Sequence, residues 1–502
     1  MPRLAQLLVS LLTAVSAASS AFIVPPKKIA VIGAGIGGCS AAFFLRKKFG
    51  PEVIIDVFEA KQVGGRIATI TVNGKVYETG ASIIHPLNLH MQSFVKDLGL
   101  KQRNAVPGEK LGIYNGEQFV FEESSWTVMD AIHLMWRYGL SYLRMQMWVE
   151  EILDKFLRIY KYQSHGFAFS TNEDLLLALG GEAFIELTKH SLEEVLGERG
   201  VSQRFLQELV GAAIRTNYGQ SPNIHAFVGA VCLAGAQPGL WAVEGGNSLV
   251  CTGLLYAAKA QLQLARVTSI SFKKRPVRKG GEVSLYEVGY ESDLGNGHNL
   301  YDLVVVATPL HEQLSNITFE GFTPPITTFP GSYHHTVATI VHGYVNTSYF
   351  GFKDPTSFSI SEIMTTEDSD LFFNSLGNLS PVNASVDYQR KPLHESAVWK
   401  VFSKKPLDRQ QLKMLFRTYY SVQEVDWLAY PQYNSLPSSG KLPPIVLHNS
   451  LYYINGLEWA ASAMEMASIA GQNVALLAHS RWNGLDERVD QMDLMHRIKT
   501  EL

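Results

Sequence analysis

Apolar residues run without a break through Ile29-Ala30-Val31-Ile32, stop at Gly33-Ala34-Gly35-Ile36-Gly37-Gly38, and resume at helical spacing from Ser40 to Lys48. A second apolar run, Val53 to Phe58, ends on Glu59. A strand that is apolar on both sides is covered on both faces, so this order predicts two parallel strands of a buried sheet joined by a helix. The run Tyr301-Asp302-Leu303-Val304-Val305-Val306-Ala307-Thr308-Pro309 belongs in the same sheet, as does Leu451 to Gly456, which leads into a helix over Glu458 to Leu477.

Between these runs the pattern changes. Thr69 to Tyr77 alternates about Asn73-Gly74 and predicts a hairpin. Trp126 to Gln163 holds no proline and one glycine, Gly139, and predicts one long or two consecutive helices. Helices are expected within Asn172 to Glu198, Ser202 to Ala213 and Ser248 to Leu262, with a strand over Ala265 to Phe272. From Gly321 to Pro444, short strand-like runs alternate with loops and should supply most of a second sheet. The expected fold is α/β: residues 22–90, 235–320 and 445–502 form a discontinuous Rossmann-type nucleotide-binding domain. An interleaved α+β substrate domain takes 91–234 and 321–444.

The first turn carries chemistry. Gly33 permits a tight turn, Gly35 lets backbone approach a pyrophosphate, and Gly38 lets the helix pack close to the strand, with free N–H groups facing the anion. Glu59, about 20 residues on, is placed to accept hydrogen bonds from a ribose. Gly64-Gly65-Arg66 adds a flexible approach and a guanidinium suited to phosphate. Gly80-Ala81-Ser82 and His85-Pro86 form a loop suited to lie beneath a flavin, where His85 either serves the reaction or only fixes the loop. The helix start after Gly456 offers a second N-terminus to phosphate or ribityl oxygens.

Composition narrows the class. With 502 residues, 46% of them hydrophobic, the chain can bury a large core, and a net charge of -3 gives no basic field for nucleic acid. Residues 1–21 read as a signal peptide: Arg3, an apolar core from Leu4 to Val15, then small residues from Ser16 to Ala21. The apolar runs, including Ala226 to Ala236, fall short of the roughly 20 residues that cross a bilayer. A secreted or lysosomal protein without a transmembrane helix is expected. Lys499-Thr500-Glu501-Leu502 resembles an ER-retention signal but departs from it at Thr500. Sequons at Asn316, Asn346, Asn378 and Asn383 should mark outward-facing surface. Three cysteines, Cys39, Cys232 and Cys251, make no disulfide framework, and Cys39 reads as a small packing residue beneath the turn. No Cys/His spacing suits a metal, and the adjacent His334-His335 pair cannot share a helix face. Met129, Met135, Met145 and Met147 cluster with Trp126, Trp136, Trp148, Tyr138 and Tyr142, near Arg137, Arg144, Arg158 and Lys161. This stretch suits core, a lipid-chain pocket or a membrane-facing surface.

The order of glycine turn, terminal Glu59, Gly64-Gly65-Arg66, the 301–309 strand and the closing strand-glycine-helix resembles the FAD-binding amine oxidase superfamily. Within it the chain resembles the prenylcysteine oxidase family over essentially its whole mature length. The runs that carry the likeness include Glu122-Glu123-Ser124-Ser125-Trp126, Met147-Trp148-Val149-Glu150, Ile159 to Gln163, Tyr218-Gly219-Gln220-Ser221 and Trp241 to Asn247. Leu233 to Gln237 and Val341 to Phe352 are more similar to the oxidase-like branch, and Pro86-Leu87-Asn88 to the oxidase branch.

The resemblance implies non-covalent FAD, held by Gly33, Gly35, Gly38, Glu59, Gly65 and Arg66, with Val267 near the adenine and Gly456, Glu458 and Met464 near the ribityl and flavin. No cysteine follows Cys251 to make a covalent link, and no second glycine fingerprint provides for NADPH. It further implies a prenylated cysteine as substrate and molecular oxygen as acceptor. Hydride leaves the allylic carbon beside sulfur, water adds, and prenyl aldehyde, cysteine and hydrogen peroxide result, with positioning supplied by the protein. Two other readings are a flavin amine oxidase and a prenyl-lipid-binding flavoprotein without turnover, with peripheral membrane or lipoprotein association.

Overall fold

The computed structural model describes residues 24–492 except 105, 107, 125–126, 236, 277–281, 328–330, 368–370, 386 and 435–440. The expected signal peptide and the Lys499 to Leu502 tail lie outside the described residues.

The strand Lys28–Ile32 lies inside a six-stranded sheet, ordered Val446–His448, Leu451–Tyr453, Leu303–Val306, Lys28–Ile32, Ile54–Glu59 and Gln261–Leu264. Its neighbours pair parallel, and only Val446–His448 runs against its partner. The unbroken apolar runs follow from cover on both faces. Ile29, Val31, Ile55, Val57, Leu303 and Val305 pack into the helical core, while Ala30, Ile32, Phe58, Val304 and Val306 pack beneath a second sheet. That second sheet, ordered Gly295–Tyr301, Glu282–Ser292, Arg266–Pro276 and Thr318–Glu320, carries Val267 and Ile270 inward.

On the opposite face, the helices Ile36–Phe49 and Met464–Trp482 cross at small residues. A Cβ on Gly471 would sit 2.9 Å from the Gly37 carbonyl oxygen, and the Ser40 hydroxyl donates to that of Ser468. Cys39 is fully buried in this layer, and burial raises its thiol well above the ordinary range, as a packing residue requires.

A seven-stranded sheet forms the other half, ordered Phe416–Pro431, Tyr333–Val345, Ala397–Ser403, Ser375–Asn378, Glu362–Thr365, Leu111–Tyr114 and Phe119–Glu122. Two of its strands are long, correcting the expectation of short runs: Tyr333–Val345 and Phe416–Pro431 pair antiparallel through three register shifts. The strands of this sheet fall within 91–234 and 321–444, and those of the other two large sheets within 22–90, 235–320 and 445–502.

Trp126 to Gln163 becomes three helices, Thr127–Tyr138, Ser141–Phe156 and Arg158–Ser164, the first ended by Gly139 at φ +60°. The helix expected over Ser248 to Leu262 stops at Ala257. Lys259 then turns at φ +48°, and Gln261–Leu264 extends as an edge strand beside Ile54–Glu59. No described helix is long and apolar enough to cross a membrane.

Candidate functional site

A cavity of about 1990 Å³ opens at the end of the parallel strands and reaches between the helices and the seven-stranded sheet. The first glycine turn forms one end. Gly33 has φ +106°, and a Cβ there would lie 2.8 Å from the Ala307 carbonyl oxygen. A Cβ on Gly38 would drive into the Gly33 carbonyl oxygen. Any side chain at either position would displace the turn, so strand and helix close together and leave backbone facing the cavity.

Glu59 closes the same corner. Its carboxylate accepts the N–H of Ala34 at 2.9 Å through one oxygen and that of Lys61 at 2.8 Å through the other. Each oxygen keeps lone-pair capacity toward the cavity it lines. Gly64 donates its N–H to the Ala34 carbonyl at 2.8 Å, and Gly35 bridges Gly64, so Gly65 and Arg66 stand beside the first turn. Gly35 N-caps Ile36–Phe49 with no side-chain hydrogen bond and no acid in the first turn. That N-terminus is open to an anion. The residues fit the pyrophosphate and ribose of a dinucleotide.

Other expected residues stand differently. The Arg66 guanidinium donates to the Glu458 carboxylate and to the Ala429 carbonyl. Glu458 also accepts from the Asn455 amide at 3.0 Å and the Ser462 hydroxyl at 3.1 Å. Arg66 thus neutralises a buried carboxylate at the cavity wall, and Glu458 and Met464 line the same wall. Gly38, Val267 and Gly456 do not line the cavity: Gly38 lies beneath the turn and the Val267 side chain is buried in the core below the four-stranded sheet. A Cβ on Gly456 would meet the Asn172 amide and the Pro443 carbonyl at 2.7 Å.

His85 lines the cavity, yet both ring nitrogens are engaged. Nδ1 accepts the Leu87 N–H at 3.0 Å, so Nε2 carries the proton and donates to the Gln237 side-chain oxygen at 2.9 Å. In this arrangement both ring nitrogens hold the loop, which suits the second of the two roles that the sequence left open for His85. The expectation for Asn378 is corrected: it is a buried residue of Ser375–Asn378, hydrogen-bonded by its amide to the Val398 carbonyl, and cannot carry a surface glycan. Asn316 and Asn383 are exposed and Asn346 is half-buried.

Three groups escaped the sequence reading. Glu465, in the first turn of Met464–Trp482, accepts the N–H groups of His90 at 2.7 Å and Met91 at 3.0 Å, and the Tyr160 hydroxyl at 2.7 Å. It caps the helix Leu89–Asp97, whose own N-cap Asn88 makes no side-chain cap bond. Burial pushes its carboxyl up to about 7. Glu362 and Lys400 line the cavity from the seven-stranded sheet. Burial pushes Glu362 up to about 8, and burial lowers Lys400. Only adjacency to Met464 could have pointed to Glu465, and nothing local marks the other two. Leu153, Phe156, Leu157 and Val231 give the cavity an apolar wall.

A family model described as prenylcysteine lyase matches residues 121–491, and one described as an NAD(P)-binding Rossmann-like domain matches 31–98. The chain is 51% identical to "Prenylcysteine oxidase 1-like" of Homo sapiens, covering 100% of each chain. It is 51% identical to "Prenylcysteine oxidase 1" of Homo sapiens over 95% of this chain and 94% of that one. Among solved structures, a triple mutant of putrescine oxidase superimposes with TM-score 0.57 at 15% identity, covering 89% of this chain and 98% of that one. Cyclohexylamine oxidase from Brevibacterium oxydans IH-35A gives 0.53 at 15% identity, covering 91% and 99%. The solved structures share the fold. The full-length relatives and the match over 121–491 reach further than fold: the chain belongs to the prenylcysteine lyase family, whose relatives here are named prenylcysteine oxidases.

Proposed function

We propose that the protein is an FAD-dependent thioether oxidase that cleaves S-prenyl-cysteine during degradation of prenylated proteins. One observation carries the reading: a single cavity joins the dinucleotide corner at Gly33, Gly35 and Glu59 to an apolar wall of Leu153, Phe156, Leu157 and Val231. A polyisoprene chain needs such a wall, and each buried methylene contributes about 0.8 kcal/mol. In outline, thioether, oxygen and water become prenyl aldehyde, cysteine and hydrogen peroxide.

Gly33, Gly35, Glu59, Gly65 and the open N-terminus of Ile36–Phe49 would hold FAD without a covalent bond. Glu458 and Met464 would stand nearest its ribityl and ring, with Arg66 screening Glu458. The chemistry FAD supplies when bound is acceptance of hydride from the carbon beside sulfur, with molecular oxygen as the final acceptor. The chain's own part is positioning. Its apolar wall orients the prenyl chain, the Glu465 cap holds Leu89–Asp97 in place, and no base is required at His85. Segments 22–90, 235–320 and 445–502 would form the FAD-binding domain, and 91–234 with 321–444 the substrate domain.

Peripheral association with a membrane or lipoprotein is favoured by a specific surface. Ile132, Met135, Trp136, Leu140, Leu143 and Met147 are exposed on Thr127–Tyr138, Ser141–Phe156 and the turn between them, Trp136 at 87% and Met147 at 70%. So much exposed apolar and aromatic surface on adjoining helices suits a lipid interface. We also propose a secreted or lysosomal location, with Asn316, Asn346 and Asn383 as glycan acceptors. Purified protein given S-farnesyl-cysteine in air should release peroxide and free thiol in equal amounts. Neither product at saturating substrate would remove the oxidase reading.

A further inference from the structure

The substrate proposed above is an apolar chain ending in an amino acid, so its cavity needs a polar end that accepts an ammonium and a carboxylate together. The seven-stranded sheet supplies one. In the antiparallel ladder Glu362 pairs with Gly377, and Gly377 pairs with Lys400. Side chains of directly paired residues point to the same face, so Glu362 and Lys400 stand two strands apart, about 10 Å between backbones, with no side chain between them. A Cβ on Gly377 would collide with the Glu362 carboxylate, so glycine lets that carboxylate lie over the middle strand on the Lys400 side. Glu362, Gly377 and Lys400 all line the cavity.

Each charge acts on the other across the gap, but neither side chain is closed into a contact pair. Among the described residues neither the Glu362 nor the Lys400 side chain makes a hydrogen bond or an ion pair, and the Lys400 ammonium lies 4.8 Å from the Phe402 ring centroid. A structural cross-strand pair would have closed on itself. The surroundings balance: Glu109 pairs with Arg390, and Lys400 feels Glu362 first and then Glu78 and Arg103. Three acids face three bases, which suits a ligand that brings one charge of each sign.

We infer that Glu362 and Lys400 read the amino-acid head of the substrate, Glu362 taking the ammonium and Lys400 the carboxylate, with the thioether and prenyl chain extending toward Leu153, Phe156 and Val231. The assignment rests on the substrate reading above and deepens it. Both residues are half-buried, and desolvation raises Glu362 and lowers Lys400, so a ligand charge of opposite sign would favour the ionised form of each.

The test compares three ligands on the flavin-loaded full chain: S-farnesyl-L-cysteine, S-farnesyl-3-mercaptopropionate lacking the amine, and S-farnesyl-cysteamine lacking the carboxylate. Equilibrium binding and KM against kcat are measured for wild type, Glu362→Gln and Lys400→Met. Wild type should bind each truncated ligand at least about 30-fold more weakly than the parent. Glu362→Gln should lose discrimination against the amine-free ligand only, and Lys400→Met against the carboxylate-free ligand only, through KM with kcat little changed. Wild type that binds all three alike overturns the head-group assignment without any variant, as do folded variants that keep wild-type selectivity or change kcat alone. Wild type that binds the parent and discriminates without turnover leaves this assignment standing and sinks the oxidase reading. Failure to bind the parent sinks both.

Discussion

Glu59 illustrates how much one side chain does in this molecule, since it fixes the glycine turn through Ala34 and Lys61 while keeping acceptor capacity for a ribose. Hydrogen bonds to a charged group are worth about 1.5–3 kcal/mol, so Glu59→Ala should weaken FAD retention roughly 10- to 100-fold, read as the dissociation constant of flavin from purified protein. His85→Ala, by contrast, should leave the rate of flavin reduction within about threefold of wild type, because its nitrogens hold a loop rather than a reacting atom. The buried acids set a pH dependence. Glu362 and Glu465 are raised in the folded state to about 8 and about 7 from 4.5, so the native protein holds protons the unfolded chain has released. Stability is therefore lost as pH rises from 4.5 through 8. Half-buried His90 and buried His225 are pushed down to about 4 from 6.5 by desolvation and act oppositely, their stability lost as pH falls below 6.5. Between pH 6.5 and 8 Glu362 and Glu465 lose the protons that the fold holds on them, so the melting temperature should fall over that interval and fall less in Glu362→Gln. A flat wild-type profile would contradict this. The glycine turn and Glu59 were legible because each role is settled within about 30 residues. Glu362 and Lys400 were not, because only strand register joins them.

At the scale of elements, close helix packing holds the nucleotide corner in shape. Gly471→Leu would press against the Gly37 carbonyl and the Ala41 amide, both backbone atoms that cannot rotate away. Overpacking of this kind costs about 1–3 kcal/mol, so the variant should melt lower and release flavin more readily. The pair Thr127–Tyr138 and Ser141–Phe156 makes a different claim, about its outer face. Trp136 fluorescence should shift to the blue on addition of phospholipid vesicles, and Trp136→Ser with Met147→Ser should abolish co-sedimentation without changing turnover of detergent-dispersed substrate. No shift would remove the lipid-interface reading. Sequence patterns separated this helical stretch from strands readily. They could not divide its faces, because Trp148 and Met145 are buried on the helix that exposes Met147. The long strands Tyr333–Val345 and Phe416–Pro431 escaped for another reason: register shifts break their alternation. Lys259 shows the limit of propensity, since a left-handed residue ends a helix that composition alone would have continued to Leu262.

For the molecule as a whole, two halves built from interleaved segments enclose a cavity that neither half makes alone. The parallel sheet and its glycine turn face one end, and the seven-stranded sheet with Glu362 and Lys400 faces the other. The sequence order of strand, glycine turn, helix and acid was enough to expect the first half. The second half depends on pairing between strands as far apart as Leu111–Tyr114 and Glu362–Thr365, which no local pattern announces. The central claim is that this enclosed space brings the carbon beside a prenyl thioether to a flavin. The most direct measurement is the visible absorbance spectrum of purified protein, taken without oxygen before and after addition of S-farnesyl-cysteine. Bleaching of the oxidised-flavin band, with recovery when air is admitted, is the predicted result; a flavin band that persists unchanged at saturating S-farnesyl-cysteine would contradict it.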